Sequence, residues 1–234
     1  IRQTHQPSPW IGDYANFSLM PVFRKLAVKE DDRASEFRHE TEVARPSYYR
    51  VRLDKWRATA EVTPTERGAS FRFTYEEGGD AYVVLDAFDN HSSVQIIPGE
   101  NKVIGVCRDN RGGVPDNFSN YFVIEFDRPF AGYGTWTPDG VQEGQANLAA
   151  KHVGAYLKFK VAPGQAVSCK VASSYISPAQ AQLNLDREIG DADFDAALKR
   201  ADAKWDETFN LIRVEGGTGE QRRAFYSAFY RSII

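Results

Sequence analysis

The chain has 234 residues, of which 42% are hydrophobic and 26% charged, and a net charge of -3. It holds enough apolar material for one large domain or a domain plus a piece, and it is not a disordered composition. The charge balance gives no electrostatic case for a nucleic-acid or anionic-membrane partner, and no apolar run reaches the roughly 20 residues of a membrane helix.

The opening segment "THQPSPWIGDY" stands apart from the rest of the chain. Pro7 and Pro9 stiffen it, Gly12 permits an unusual backbone, and Trp10 and Tyr14 offer flat apolar faces beside Asp13 and His5. Rings that pack on the axial hydrogens of a sugar, with polar groups beside them for its hydroxyls, make a candidate carbohydrate-binding loop. The plainer alternative is that Trp10 plugs the end of the fold. Ile1 stands where an initiator Met would, without the charged and apolar regions of a signal peptide, so the start reads as other than the native one.

From Phe17 to about Tyr175 the pattern is short strands between turns. "SYYRVRL" sets Tyr49, Val51 and Leu53 against Tyr48, Arg50 and Arg52, the period-two signature of a half-buried strand. Comparable segments are "FSLMPV", "ATAEVT", "SFRFTY", "AYVVLDAF", "SVQIIP", "KVIGVC", "NYFVIEF", "VGAYLKFKV" and "AVSCKVASSY". "EEGGD", "PGEN", "RDNRGGVPDN" and "APGQ" supply the dihedrals that turns between them need. About ten strands with no amphipathic helix between them predict an antiparallel β-sandwich.

After Tyr175 the period changes. Phe194, Leu198, Ala201, Trp205, Phe209 and Ile212 fall on one helical stripe, which "EGG" is expected to end. Asp191, Asp193 and Asp195 crowd its start like the first ligands of a calcium loop. An EF-hand needs Gly at its sixth place and Glu at its twelfth, here Ala196 and Asp202, so the trio reads as an acidic N-terminal turn. Thr218 with Gln221 predicts a capping box and a second helix, apolar almost all round through Phe225, Tyr226, Phe229, Tyr230 and Ile233. Such a helix needs burial on most sides, and its companions are expected beyond Ile234. The resulting division is a mainly β sandwich over 1–176, linker helices over 177–217 and the start of a helical domain over 218–234.

Chemistry-bearing residues are sparse. Cys107 and Cys169 read as two packed thiols, with a disulfide left open. His5, His39, His91 and His152 are scattered singly, without zinc spacing. "RHE" joins His39 and Glu40 to Arg38, a group able to bind a sugar or an ion, or equally a solvated ion-pair turn. No phosphate cradle, nucleophile elbow or Cys/His pair is present, and nothing selects two carboxylates as a glycosidase acid and base.

Five stretches in order, "IGDYANFSLMPV", "SEFRHETEVARPSYYRVRL", "AEVTPTER", "AQLNLDREI" and "IRVEGGTGEQRRAFYSAFYRS", resemble the N-terminal region of glycoside hydrolase family 92, the calcium-dependent exo-acting α-mannosidases. The chain departs from the family pattern at Ala15 and Asn16, where a second Gly-Asp is common, and at Ser47, where Gly is. The resemblance implies a β-sandwich joined through linker helices to an (α/α)6 barrel of which only the first helix is here. It also implies inverting hydrolysis of terminal α-mannosides in N-glycans or mannans, in an extracellular or periplasmic setting. The catalytic carboxylates and the Ca2+ ligands are then expected beyond Ile234, so no catalytic or metal residue is assigned in this chain. The sandwich would contribute loops to the pocket, with His5, Trp10, Gly12, Asp13, His39 and Glu40 as candidate sugar contacts. The rival readings are a stand-alone carbohydrate-binding module and a purely structural sandwich.

Overall fold

The computed structural model describes residue 1, residues 16–110 and residues 114–233. In chain order the strands are β1 (Ser18–Phe23), β2 (Val43–Arg45), β3 (Tyr48–Leu53), β4 (Ala58–Pro64), β5 (Gly68–Tyr75), β6 (Gly79–Asp86) and β7 (Ser92–Ile97). They continue with β8 (Lys102–Cys107), β9 (Asn120–Phe126), β10 (Gly132–Thr137), β11 (Gly140–Glu143), β12 (Asn147–Ala150), β13 (Gly154–Val161) and β14 (Ala166–Ser174). The helices are α1 (Glu30–Arg33), α2 (Pro178–Glu188), α3 (Phe194–Phe209) and α4 (Gly219–Ile233).

Among the described residues the strands form two sheets, ordered β1-β6-β13-β10-β11 and β12-β7-β8-β9-β14-β5-β4-β3-β2. Every pairing is antiparallel. The antiparallel sandwich expected from the alternating strands is therefore present, with helices confined mainly to the C-terminal side. On β5, Phe71, Phe73 and Tyr75 enter the core while Arg72 faces outward, because successive strand residues point to opposite faces. The Tyr75 hydroxyl crosses between the sheets to donate to the Tyr82 carbonyl at 3.0 Å, and burial raises its pKa far beyond the usual range.

Two glycines allow close approach. A Cβ on Gly154 would sit 2.2 Å from the Trp136 ring, and one on Gly105 would sit 2.1 Å from the Phe122 ring. Cys107 and Cys169 are both buried free thiols.

Several elements escaped the reading of the sequence. "GYGTWT" of β10 is interrupted by glycines, and β11 is exposed along its length, so neither shows the alternation that marks a strand. Helix α2 lies within 177–217, where linker helices are expected, though its own bounds were not marked in the sequence. Ser177 caps it by accepting from the Gln180 amide at 3.1 Å, Pro178 occupies its first turn, and Ala181 and Leu185 pack on Val123 and Ala172 of the sheet. Helix α3 stops at Phe209 instead of running to "EGG", so Ile212 lies beyond it and is exposed. The Asn210 side chain donates to the Asp206 carbonyl at 2.7 Å and so satisfies a carbonyl of the closing turn.

Helix α4 begins as the sequence predicts. The Thr218 amide donates to Gln221 Oε1 at 2.8 Å and the Gln221 amide to Thr218 Oγ1 at 3.2 Å. Its rings meet those of α3, with Trp205 5.3 Å from Tyr230 and Phe209 6.1 Å from Tyr226. No described residue of α4 is buried.

Candidate functional site

One end of the sandwich gathers the chemistry. Register aligns Ser18 with Asp86 and Asp86 with Gly154 in one sheet, and Cys107 with Asn120 in the other. The Cys107 thiol, donating to the carbonyls of Asn16 at 3.0 Å and Ala87 at 3.1 Å, brings these strand ends together. Ile1 is held here as well, exchanging backbone hydrogen bonds with Leu19. His5, Trp10, Gly12 and Asp13 lie outside the described residues; Ile1 and Asn16, on either side of them, both stand at this end.

At the same end Asp86 is a carboxylate only 1% exposed. It accepts from Arg33 Nη2 at 2.5 Å and from the Phe88 amide at 2.8 Å, and His152 Nε2 lies 3.0 Å away. His152 Nδ1 lies 3.2 Å from Asp89. The hydrogen bond to Asp86 raises the His152 pKa above its ordinary 6.5, against a smaller opposing effect of burial. With a carboxylate facing each ring nitrogen, the imidazole has neither nitrogen free for proton transfer to a substrate. The cluster is therefore a clasp between the 87–91 and 151–153 loops.

Its members are separated by 53 and 66 positions, so no local spacing reveals them. One sequence signal does exist. Asp86 ends the apolar run "AYVVLD", and a carboxylate buried with such neighbours must find charged or polar partners.

Beside the clasp, a cleft of about 600 Å³ opens between the sheets. Its floor is apolar, including Phe17, Leu19 and Phe71, and its rim carries Arg67 and Asn184. An apolar hollow with a few polar groups has the form of a binding site. Both rim groups are already engaged: Arg67 Nη1 donates to Glu188 at 2.6 Å and Asn184 Nδ2 to the Ser173 carbonyl at 2.8 Å. Among the described residues that line the cleft, Glu66 is the one carboxylate. The described lining therefore holds no facing acid and base of a glycosidase.

His39 and Glu40 do not line this cleft. They sit on an exposed turn, His39–Thr41, where His39 Nδ1 is 2.7 Å from Glu42 Oε2 and Arg38 pairs with Asp54. Two of the acidic trio are engaged in structure. Asp193 Oδ1 caps α3 by accepting from the Ala196 amide at 2.8 Å, and Asp195 Oδ1 accepts from Arg72 at 2.9 Å. Among the described residues no group of three or more His, Cys, Asp or Glu side chains could hold a metal ion. The described residues therefore do not fit a calcium site. No helix among them is long and apolar enough to cross a membrane.

Known proteins resemble the chain along its length. Residues 1–174 match the glycosyl hydrolase family 92 N-terminal domain, and residues 180–234 match the family's catalytic domain. The whole chain superposes on a family 92 inverting mannosidase of Bacteroides thetaiotaomicron with a TM-score of 0.95 and 43% identity, covering 32% of that protein. A second family 92 α-mannosidase of the same organism, solved with mannoimidazole, shares the fold at TM-score 0.78 and 22% identity, over 86% of this chain and 29% of its own. An uncharacterized secreted glycosidase of Arthroderma benhamiae is 28% identical over 94% of this chain and 32% of its own length. The chain thus spans about a third of these relatives. With the N-terminal match extending over residues 1–174, more than half of its length, the chain belongs to glycosyl hydrolase family 92.

Proposed function

We propose that the complete protein is an exo-acting α-mannosidase that releases terminal mannose with inversion at the anomeric carbon. In this reading the chain supplies the N-terminal sandwich (1–176), the linker helices (177–217) and the first helix of the helical catalytic domain (218–234). The observation that carries it is the 43% identity, over the full chain, to an inverting mannosidase. The substrates are mannose-containing glycans such as N-glycans or mannans.

Inversion requires an acid that protonates the leaving oxygen and a base that activates water on the opposite face of the sugar, roughly 6.5 to 9.5 Å apart. Among the described residues lining the cleft Glu66 is the one carboxylate, and both members of that pair are assigned to the catalytic domain beyond this chain. The sandwich contributes shape at the domain boundary, with the segment holding His5, Trp10, Gly12 and Asp13 as the proposed sugar-facing loop. Calcium, when bound, would polarise sugar hydroxyls, and its ligands are assigned outside this stretch. The secreted relative supports an extracellular or periplasmic setting. A stand-alone carbohydrate-binding module gains no specific support, since residues 180–234 match a catalytic domain that such a module would lack.

The test uses the full-length protein with an aryl α-mannoside. Proton NMR is expected to show β-mannose as the first product, turnover to cease on chelation and return with calcium, and residues 1–234 alone to be inactive. Initial α-mannose, or no release of mannose by the full-length protein, overturns the reading.

A further inference from the structure

Among the described residues α4 packs chiefly on helix α3, so whatever fixes α3 on the sandwich fixes the start of everything downstream. The apolar grip of α3 is small: Phe194 and Ala197 are its buried residues. The rest of the attachment is polar and directional. Arg72 on β5 donates through Nε and Nη2 to the two oxygens of Glu61 on β4, at 2.7 and 2.9 Å. Through Nη1 it donates to Asp195 in the first turn of α3 at 2.9 Å, and its guanidinium carbon lies 4.2 Å from the Phe194 ring centre.

Glu61 is only 8% exposed and receives a third hydrogen bond from the Tyr48 hydroxyl at 2.7 Å. Burial pushes the Glu61 carboxyl up, but the Arg72 and Tyr48 hydrogen bonds outweigh it and hold the group below the usual range. Burial and the same contact push Tyr48 up to about 12. Two turns along α3, Asp202 accepts from the buried Ser47 hydroxyl at 2.6 Å, and Ser47 is itself held by Thr63, whose hydroxyl donates to its carbonyl at 2.9 Å. Lys204 pairs with Glu66.

A forked guanidinium–carboxylate pair with further fixed partners has one geometry, whereas two small apolar contacts would tolerate sliding and rotation. We infer that Arg72 is a positioning residue: its seat on Glu61 and Tyr48, gripping Phe194 and Asp195, sets the angle at which α3, α4 and the catalytic domain stand to the sandwich. Ser47 and Asp202 give the second fixed point that turns an attachment into an orientation. The consequence for catalysis rests on the proposed mannosidase reading; the claim about orientation does not.

The experiment uses the full-length protein with spin labels at Q142C on β11 and E207C on α3, both exposed, the native Cys107 and Cys169 being buried. The double variant Arg72→Met with Glu61→Gln removes the fork without stranding a charge. Phe194→Leu with Asp195→Asn loosens only the α3 side and serves if the first variant does not fold. The distance distribution between the labels is expected to broaden at least about twofold while thermal unfolding of the sandwich stays cooperative. Mannoside kcat is expected to fall on the order of tenfold with KM little changed, because a displacement of about 1 Å at a reacting centre can cost even more. An unchanged distance distribution in the folded variants overturns the inference. If the parent protein releases no mannose, the functional reading fails while the label distances still decide the role of Arg72.

Discussion

The sandwich and the α3–α4 arm use the same aromatic vocabulary to different ends. Phe73, Tyr75 and Phe122 of the sandwich are wholly buried, whereas Phe225, Tyr226, Phe229 and Tyr230 of α4 are at most half-buried, and Leu211 between the two helices is 75% exposed. A sheet turns every second side chain toward a facing sheet, so two sheets can cover each other's inner residues. Two packed helices cover one stripe each. The rings at 225, 226, 229 and 230 span more of α4 than the α3 stripe can shelter, and they stay partly wet. One region closes its own core; the other leaves its rings partly exposed.

That difference sets the sizes of the effects expected from mutation. Phe73→Ala should lower the stability of the sandwich by about 3 to 5 kcal/mol, since it leaves a cavity among fully buried neighbours. Phe225→Ala should cost about 1 kcal/mol or less, the ring being half in water to begin with. Urea unfolding of the two variants checks the contrast, and comparable losses would mean that the arm is buried after all. Asp86→Asn should cost about 3 kcal/mol, because Arg33, 5% exposed, is left without its charged partner.

The sandwich was legible because its strands alternate and its turns carry Gly, Pro, Asn and Asp. The strand "SFRFTY" shows the rule at work: Phe71 and Phe73 mark the inner face and Arg72 the outer one. Strands β11 and β12 were not legible, since short exposed edges have no face to pattern. The "RHE" turn was legible as chemistry but not as place, for only the fold shows that His39 meets Glu42 away from the cleft. His152 read as a lone histidine because Asp86 and Asp89 reach it from distant points of the chain, and the Arg72 seat was hidden in the same way. Pairing across strands and across the helix–sheet boundary joined residues that linear spacing keeps apart.

A smaller effect separates the two regions by pH. His152 has a folded-state pKa raised by Asp86, so its contribution is fully present below about pH 6.5 and is lost as pH rises through the raised value. The group is partly exposed, and the contribution is about 1 kcal/mol. The stability of the sandwich should decline by that amount across this window, and His152→Gln should remove the decline. Chemical denaturation at a series of pH values checks it; a slope that persists in the variant would place its origin elsewhere. The α3 seat, whose Glu61 is held low by Arg72 and Tyr48, should keep its charge through the same window and weaken only in acid.

The most local effect concerns the two helix starts. Asp193 caps α3 and Thr218 caps α4, each with a side-chain oxygen on a free amide, and removal of such a cap costs about 1 kcal/mol in either helix. What differs is where the loss is felt. The first turn of α3 bears the Asp195 contact to Arg72, so Asp193→Ala should weaken docking on the sheet and lower the protection of amides along α3. The first turn of α4 has no such anchor: Gly219, Glu220, Gln221 and Arg222 are exposed. Thr218→Ala should therefore speed hydrogen exchange in the opening turn of α4 by about fivefold, leaving the unfolding midpoint of the sandwich where it was. A shift of that midpoint would show that α4 is energetically part of the sandwich, and the division between a self-sufficient core and an unfinished arm would then fail at its most sensitive point.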